Sequence, residues 1–209
     1  MASSVVHLAI TNEMIKRYTF KNINRLKCGV VIVDDGYNGN SHLKINVLDG
    51  LKKTYDFDSF RQMFGKKMQE DDFYLGYYLH LVQDALYRRF VYEKYHWNPK
   101  IPGNVERLHR DYAIVNDYII KKYNLVNDLF IPENFNEEMI NSLCSFDTEG
   151  FRKRMDFYFI PVEDQDIFFF TREMSDEFID EAVDLCVHEI KCLARNESQI
   201  DMYEYAWMR

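Results

Sequence analysis

Two ionisable side chains four residues apart are the strongest chemical signal in the sequence. His80 and Asp84 lie in Leu75-Gly-Tyr-Tyr-Leu-His-Leu-Val-Gln-Asp, a segment with the apolar pattern of a long helix. At this spacing both side chains leave the same face of the helix, and Gly76 and Arg88 extend that face by one turn in each direction. A polar stripe on such an apolar helix is either buried and compensated or part of a site. His80 and Asp84 are therefore either a hydrogen-bonded pair or a pair of metal ligands.

Metal ligation requires further nitrogen or oxygen ligands to converge on this pair. The candidates are Asp34 or Asp35 and His42, which lie in or beside a segment dense in turn-forming residues. Two histidines and two carboxylates suit zinc, with manganese and iron as alternatives.

The other four histidines have weaker contexts. His7 has apolar neighbours, so it is either a core histidine or a ligand. His109 is flanked by charged residues, so it is either on an exposed helix face or a ligand. His96 follows the long helix and is interpreted as structural, and so is His188, because its spacing to Cys186 and Cys192 does not fit a standard zinc motif.

The elements that must position these residues are mostly helical. Periodicity predicts helices over 4–18, 59–67, 70–95, 105–123 and 175–195, and shorter ones at 134–144 and 148–156. Residues 43–48 and 51–55 flank an Asp-Gly pair, which is typical of a β-hairpin.

Three apolar runs remain ambiguous. Residues 28–34 form either a buried strand or a tight helical turn, and residues 157–160 and 167–170 either pair as a second hairpin or line the core. The predicted fold is mainly α: a single-domain bundle of six or seven helices with one or two short β-hairpins. We expect residues 1–125 to form the helical core and residues 126–209 to pack on it as a helical extension.

Composition excludes several classes of protein. The 209 residues include only 8 Gly and 4 Pro, about half the usual share, which argues against turn-rich β-sandwiches and disordered linkers. The net charge of −8 argues against general nucleic-acid binding. The four cysteines form no C-x-x-C pair and are expected to be reduced. Neither a signal peptide nor a transmembrane segment is predicted, so the expected location is the cytoplasm.

Taken in chain order, these motifs resemble the zinc-dependent phospholipase C family, which is related to the fungal single-strand nucleases. They are His7, Gly29-Val-Val-Ile-Val-Asp34, Ser41-His42 and the helix from Leu75 to Asp84. That family has an early histidine, a G-x-x-x-P-D element, a following histidine and a helix reading L-G-x-x-x-H-x-x-x-D. The resemblance covers about residues 1–115.

The resemblance implies a ligand set for each metal. Asp34, His42, His80 and Asp84 match the four ligands of one zinc site, and His7 matches the early histidine of a second. His109 matches a later ligand, but its expected carboxylate partner is replaced by Ala113, and no histidine follows Asp84 closely. The resemblance therefore implies one or two ions rather than the family's three.

The function expected from these residues is a metal-dependent hydrolase, most simply a phosphoesterase. In this hypothesis Asp34 also accepts the proton of the attacking water, Arg88 holds a phosphate oxygen and Tyr77 contributes to an aromatic wall. The expected substrate is a small-molecule phosphate ester or a phospholipid head group. Two alternatives stay open: a non-catalytic protein stabilised by the metal, and a helical interaction protein without metal. The sequence leaves the oligomeric state open.

Overall fold

Local capping signals define most helix starts in the computed structural model, which describes residues 2–208. Six of its α-helices begin after a side chain that accepts a hydrogen bond from a backbone N–H of the first turn. These capping residues are Ser3, Asn22, Asp56, Asp71, Asp147 and Thr171. The fifth helix instead follows Gly103, which has a left-handed backbone conformation (φ 81°).

Seven α-helices and short antiparallel strands make up the described part of the chain, which confirms the mainly α class. The helices are α1 (Ser4–Arg17), α2 (Ile23–Ile32), α3 (Phe57–Glu70), α4 (Asp72–Arg89), α5 (Asn104–Lys122), α6 (Thr148–Tyr158) and α7 (Arg172–Leu193). The strands are β1 (Gly36–Tyr37), β2 (Lys44–Val47), β3 (Lys52–Tyr55), β4 (Ser145–Phe146) and β5 (Trp207–Met208).

The structure resolves the ambiguous runs. Residues 28–32 belong to α2, and residues 33–35 continue it as a 3₁₀ turn. This helix is buried from Leu26 to Ile32, and Lys27 is the only charged residue of that stretch, so it has no exposed polar face from which a helical period could be detected. Residues 157–160 and 167–170 form no strands, and Phe170 lies in the core.

Several predicted boundaries also move. The α-helical part of the predicted helix 70–95 ends at Arg89 and continues as a π-helical turn over Phe90–Lys94. Residues 135–137 and 139–142 form 3₁₀ turns in place of one short helix. The last helix begins at Arg172 instead of residue 175, because Thr171 caps it.

Helices α2 and α4 pack with unusually close backbones, and a glycine on each helix permits this. A Cβ added to Gly76 in α4 would lie 2.3 Å from the carbonyl oxygen of Leu26 in α2. A Cβ added to Gly29 in α2 would lie 2.0 Å from the carbonyl oxygen of Phe73 in α4. Both distances are shorter than real carbon–oxygen contacts. The glycine within α4 therefore serves helix packing.

The strands form two small antiparallel sheets. β2 and β3 form the predicted hairpin around Asp49-Gly50, and β5 from the C-terminal segment pairs with the other edge of β3. The second sheet pairs β1 with β4 and is no hairpin, because the two strands are far apart in sequence.

One hydrophobic cluster joins the N-terminal helices to α7, with residues such as Val5, Leu79 and Phe178 fully buried. Several buried tyrosines belong to it, and their hydroxyls are hydrogen-bonded, as with Tyr78 to Glu189 (2.8 Å) and Tyr74 to Glu138 (2.9 Å). Among residues 2–208, no helix is both long enough and apolar enough to cross a membrane.

The close approach of α2 and α4 predicts opposite effects for two glycine-to-alanine substitutions. Gly76→Ala places a methyl group against backbone, so we expect the free energy of unfolding to fall by at least about 2 kcal/mol. Gly65→Ala in α3 is the matched control, since its added Cβ meets nothing within 4 Å, and we expect a gain of about 1 kcal/mol from helix propensity. Urea denaturation measures both. Equal effects of the two substitutions would contradict this account of the packing.

Candidate metal centre

Five buried ionisable side chains converge from four parts of the chain. α4 contributes His80 and Asp84, one turn apart, and α1 contributes His7. Asp34 comes from the 3₁₀ turn that extends α2, and His42 immediately precedes the β2–β3 hairpin. Asp34 and His42 are the only two of the five side chains with any solvent exposure, at 13% and 8%. The cluster therefore lies in the core and meets solvent at one edge.

Asp34, His42 and His80 offer ligand atoms that all lie within 4.8 Å of one another, and an oxygen of Asp84 lies close to both of these histidines. His42 Nε2 lies 3.3 Å from His80 Nε2, 3.4 Å from Asp34 Oδ1 and 3.6 Å from Asp84 Oδ2. His80 Nε2 lies 3.8 Å from Asp34 Oδ1 and 3.7 Å from Asp84 Oδ2. Zinc–ligand bonds of about 2.0–2.1 Å give a tetrahedron with edges of about 3.3–3.4 Å. The five measured edges match that figure within about half an ångström.

The same distances argue against a simple hydrogen-bonded network. Hydrogen bonds between nitrogen and oxygen are normally 2.7–3.2 Å long, and all four His–Asp distances at this centre exceed that range. In particular, His80 and Asp84 are 3.7 Å apart, so they are not the hydrogen-bonded helical pair considered above.

Outer hydrogen bonds aim both imidazoles at the centre. His80 Nδ1–H donates to the carbonyl oxygen of Val30 in α2 at 2.8 Å. His42 Nδ1 lies 3.0 Å from Ser41 Oγ, and the Ser41 carbonyl accepts a 2.6 Å hydrogen bond from the Tyr77 hydroxyl. When both Nδ1 atoms donate, the two Nε2 lone pairs face each other and repel unless a cation lies between them. Such second-shell bonds are typical of metal-ligating histidines.

Asp84 is also held by outer donors on both of its oxygens. The backbone N–H of Ala2 donates to Oδ1 at 3.1 Å, and the Tyr55 hydroxyl donates to Oδ2 at 3.2 Å. Asp34 Oδ1, by contrast, is buried and has no hydrogen-bond partner among the described residues. An unpartnered buried acceptor costs about 1–3 kcal/mol or more. A cation at the centre would satisfy this oxygen, so these residues fit a divalent metal ion.

The protonation states favour the same conclusion. Burial, followed by the nearby His7, lowers the pKa of His80 to about 3, so its imidazole is neutral at physiological pH. Burial opposes ionisation of Asp34, but His80 and His42 outweigh it and lower the Asp34 pKa to about 2. The pKa of Asp84 also lies well below its usual value despite burial, because His7 and His80 adjoin it. The centre thus offers a neutral His80 nitrogen beside two ionised carboxylates.

His7 lies beside this set rather than completing a second one. Its ring stacks on His80 with centroids 4.2 Å apart, and Nδ1 is 2.7 Å from Gln83 Oε1. Its Nε2 lies 3.6 Å from Asp84 Oδ1 and has no hydrogen-bond partner among residues 2–208. His7, His80 and Asp84 do form a second possible ligand group. However, His80 has only one nitrogen for both groups, because Val30 occupies the other, so the geometry favours one ion over two.

Two predicted site residues lie elsewhere. His109 is exposed on α5 and belongs to neither ligand group, because it lies on the outer face of that amphipathic helix. Tyr77, predicted to line the substrate site, is fully buried and holds the Ser41 carbonyl. Through this hydrogen bond it positions the segment that carries His42, and its buried ring is not accessible to a substrate.

Two other candidates have well-defined partners. Asp35, the alternative ligand to Asp34, is paired with Arg154. Arg88 lies near the centre: its Nε donates to the Tyr55 hydroxyl at 3.0 Å, and its guanidinium stacks on Trp207 at 4.2 Å.

Sequence reasoning missed the residues that hold the ligands in place. Gln83, Ser41 and Tyr55 each contact a ligand or its neighbour. Gln83 and Ser41 are adjacent in sequence to Asp84 and His42, which is a usable signal. No sequence signal marks Tyr55, because its contact with Asp84 depends on the folding of the β2–β3 hairpin.

A cavity of about 800 Å³ lies away from the metal centre, between α3, α7 and the start of α4. Gly65, Leu75 and Asn196 are among its lining residues, and none of the five clustered side chains is. The candidate metal centre itself is packed with mostly buried side chains.

The comparisons with known proteins give no relative. No family model matches the chain, and no curated protein or solved structure matches it.

The geometry predicts selective loss of zinc binding. One equivalent of Zn²⁺ should raise the thermal unfolding midpoint of the wild-type protein, because the ion binds only the folded state. His42→Asn and His80→Asn should each weaken zinc binding by at least about tenfold, the lower end of what loss of an outer-shell partner alone costs. His109→Asn is the control and should bind zinc like the wild type. Competition with a zinc-chelating dye measures all four proteins, and equal affinities would contradict the assignment.

Proposed function

We propose that this protein is a metal-dependent hydrolase of phosphate esters with one zinc ion at the Asp34–His42–His80–Asp84 centre. The observation that carries the proposal is the close approach of His42 and His80 to each other and to one oxygen of each carboxylate, at separations of 3.3–3.8 Å. Manganese and iron are the alternative ions, since imidazole and carboxylate ligands accept both. The resemblance of the motifs to the zinc-dependent phospholipase C family also supports this assignment.

The position of Asp34 supports a role in moving a proton. Asp84 is fully buried, whereas the Asp34 side chain is 13% exposed, so water reaches the centre on the Asp34 side. A bound divalent ion acts as a Lewis acid that activates water and polarises a phosphoryl oxygen. The second oxygen of the Asp34 carboxylate accepts the proton of the attacking water. The phosphorus–oxygen bond to the alcohol would then break, and Asp34 would pass the same proton to the departing alcohol oxygen, which regenerates its carboxylate.

Arg88 is the proposed phosphate ligand of this site. It is linked to the centre through Tyr55, which donates to Asp84 and accepts from Arg88. Its guanidinium carries a fixed positive charge and a planar set of donors that suits phosphate oxygens. A small-molecule phosphate ester or a phospholipid head group is the proposed substrate class.

A second candidate function is a non-catalytic protein that the metal stabilises. The observation that favours it is the number of protein ligands: structural zinc sites have four, whereas catalytic sites usually have three and an open position. A phosphoesterase would therefore need a bound ion to stay reachable by water at the solvent-exposed edge, beside Asp34 and His42.

Turnover by the zinc-loaded protein separates the two functions. We expect hydrolysis of p-nitrophenyl phosphate by the wild type and His109→Asn, and none by His80→Asn. Asp34→Asn, assayed with enough zinc to keep the site loaded, should lose about 10²-fold or more in kcat, because it removes the proton acceptor. Metal analysis of each sample verifies the loading. One equivalent of bound zinc with no turnover of any phosphate ester would establish the non-catalytic function instead.

A further inference from the structure

The cavity between α3, α7 and the start of α4, here called the α3–α7 cavity, is bordered by a glycine that no helix packing explains. Gly65 lies in the interior of α3, where a glycine destabilises the helix relative to an alanine. A Cβ added to it would meet no atom of residues 2–208 within 4 Å, whereas one added to Gly29 or Gly76 would collide with backbone. Because Gly65 lines the cavity, its missing side chain leaves space there.

One face of α3 forms a wall of this cavity, and Gly65 lies at the middle of that wall. Arg61, Gly65 and Gln69 all line the cavity at intervals of four residues, which places them on the same side of the helix. The volume of about 800 Å³ falls within the range of about 300–1,000 Å³ that is typical of small-molecule sites. The cavity is therefore large enough for a ligand, and Gly65 brings the α3 backbone to its edge.

The cavity is apolar at depth and polar at its mouth. Met68, Leu75 and Ile190 are buried lining residues. Thr19 and Gln62 also line the cavity but are exposed. A ligand that fills the cavity would bury an apolar part against the three buried side chains and keep a polar part near solvent. This is the chemistry of an amphiphile.

The two cations of the lining already have partners within the protein. Arg61 is paired with Asp58 and donates to Ser198 Oγ at 2.9 Å. Lys21 donates to the main-chain carbonyl of Gln69 in the last turn of α3, where the negative end of the helix favours an ammonium group. Neither cation therefore needs an anionic ligand for compensation.

The two carboxylates of the lining are compensated in the same way. Glu197 is paired with Arg195 at 3.2 Å. Asp72 lies in the first turn of α4, where the positive end of the helix favours a carboxylate, and it accepts a hydrogen bond from the backbone N–H of Asn22. The four charges of the lining also sum to zero. The cavity therefore offers no net attraction to an ionic ligand.

Uncharged polar groups are the ones that a ligand can reach at the mouth. Thr19, Gln62 and Asn196 are exposed lining residues with hydroxyl or amide side chains. These groups donate and accept hydrogen bonds without carrying a charge. A hydroxyl-bearing head group therefore suits the mouth better than a charged one.

We propose that the α3–α7 cavity binds a neutral amphiphile, with an apolar chain against Leu75 and Ile190 and an uncharged, hydroxyl-bearing head group at the mouth. Gly65 admits the chain, because a larger side chain at this position would occupy the cavity. None of the five clustered side chains of the metal centre lines this cavity, so the inference does not depend on the proposed hydrolase function.

Calorimetric titration of the full chain with n-octyl β-D-glucopyranoside, kept below its critical micelle concentration, tests the site. The wild type should bind one equivalent. Gly65→Leu fills the space that the chain would occupy and should weaken binding by at least about tenfold. Lys66→Leu is the matched control, because it places the same new side chain at the next position, where the lysine side chain is 88% exposed. This variant should bind like the wild type.

Ligands with the same chain and different head groups test the assigned class. Octanoate and octylammonium should each bind at least about tenfold more weakly than the glucoside, because a charged head group loses hydration without gaining a free counter-charge. Tighter binding of either ion than of the glucoside would overturn the assignment of a neutral ligand.

A measurement on the wild type covers the case in which Gly65→Leu does not fold. The methyl NMR signal of Met68 should shift as the glucoside is added, whereas the signals of Met14 and Met155, which are buried outside the lining, should stay in place. The proposal is wrong if the wild type shows no saturable binding, if the Met68 signal does not move, or if folded Gly65→Leu binds as tightly as Lys66→Leu.

Discussion

The metal centre depends on the close approach of helices α2 and α4. Because Gly29 and Gly76 have no Cβ, the backbones of α2 and α4 come into direct contact, and α4 lies against carbonyl groups of α2. One of those carbonyls, on Val30, fixes the orientation of His80. The same packing brings Asp34, just past the end of α2, to within 3.8 Å of His80. A larger residue at either glycine would separate the two halves of the ligand set.

The buried charged and polar groups of this centre are best explained by a bound cation that compensates them. Two ionised carboxylates and three imidazoles are gathered in a largely apolar core. Within the described part of the chain, Asp34 Oδ1 and His7 Nε2 lack hydrogen-bond partners. Burial of such groups without compensation is strongly unfavourable. The outer bonds from Val30, Ser41, Tyr55 and Ala2 orient the ligands without neutralising them. A divalent ion would supply both the missing partners and the missing charge.

Much of the fold and part of the centre could be predicted from the sequence. Helical periodicity located α1, α4, α5 and α7, and the Asp49-Gly50 turn located the β2–β3 hairpin. α2 could not be distinguished from a strand, because a helix buried on all sides has no polar face. The spacing of His80 and Asp84 placed both on one face, but only tertiary packing shows which other ligands reach them. His7 and His42 are brought to that face, whereas His109 is exposed on α5.

The supporting residues depend on contacts that no local pattern encodes. Tyr77 was expected to face a substrate, but α4 is buried on nearly every side and directs this ring at the His42 segment. The contact of Asp84 with Tyr55, and of the Tyr55 ring with Trp207, likewise requires the strand register and the return of residues 207–208 to β3.

X-ray absorption spectroscopy at the zinc edge of the protein loaded with one equivalent of zinc tests the central claim most directly. The account predicts a four-ligand shell of two imidazole nitrogens and two carboxylate oxygens at about 2.0–2.1 Å, with the multiple scattering characteristic of histidine. A fifth, solvent-derived oxygen is compatible with that shell. A shell of oxygen atoms without imidazole scattering, or zinc that is lost on desalting, would contradict the assignment of His42 and His80 as ligands.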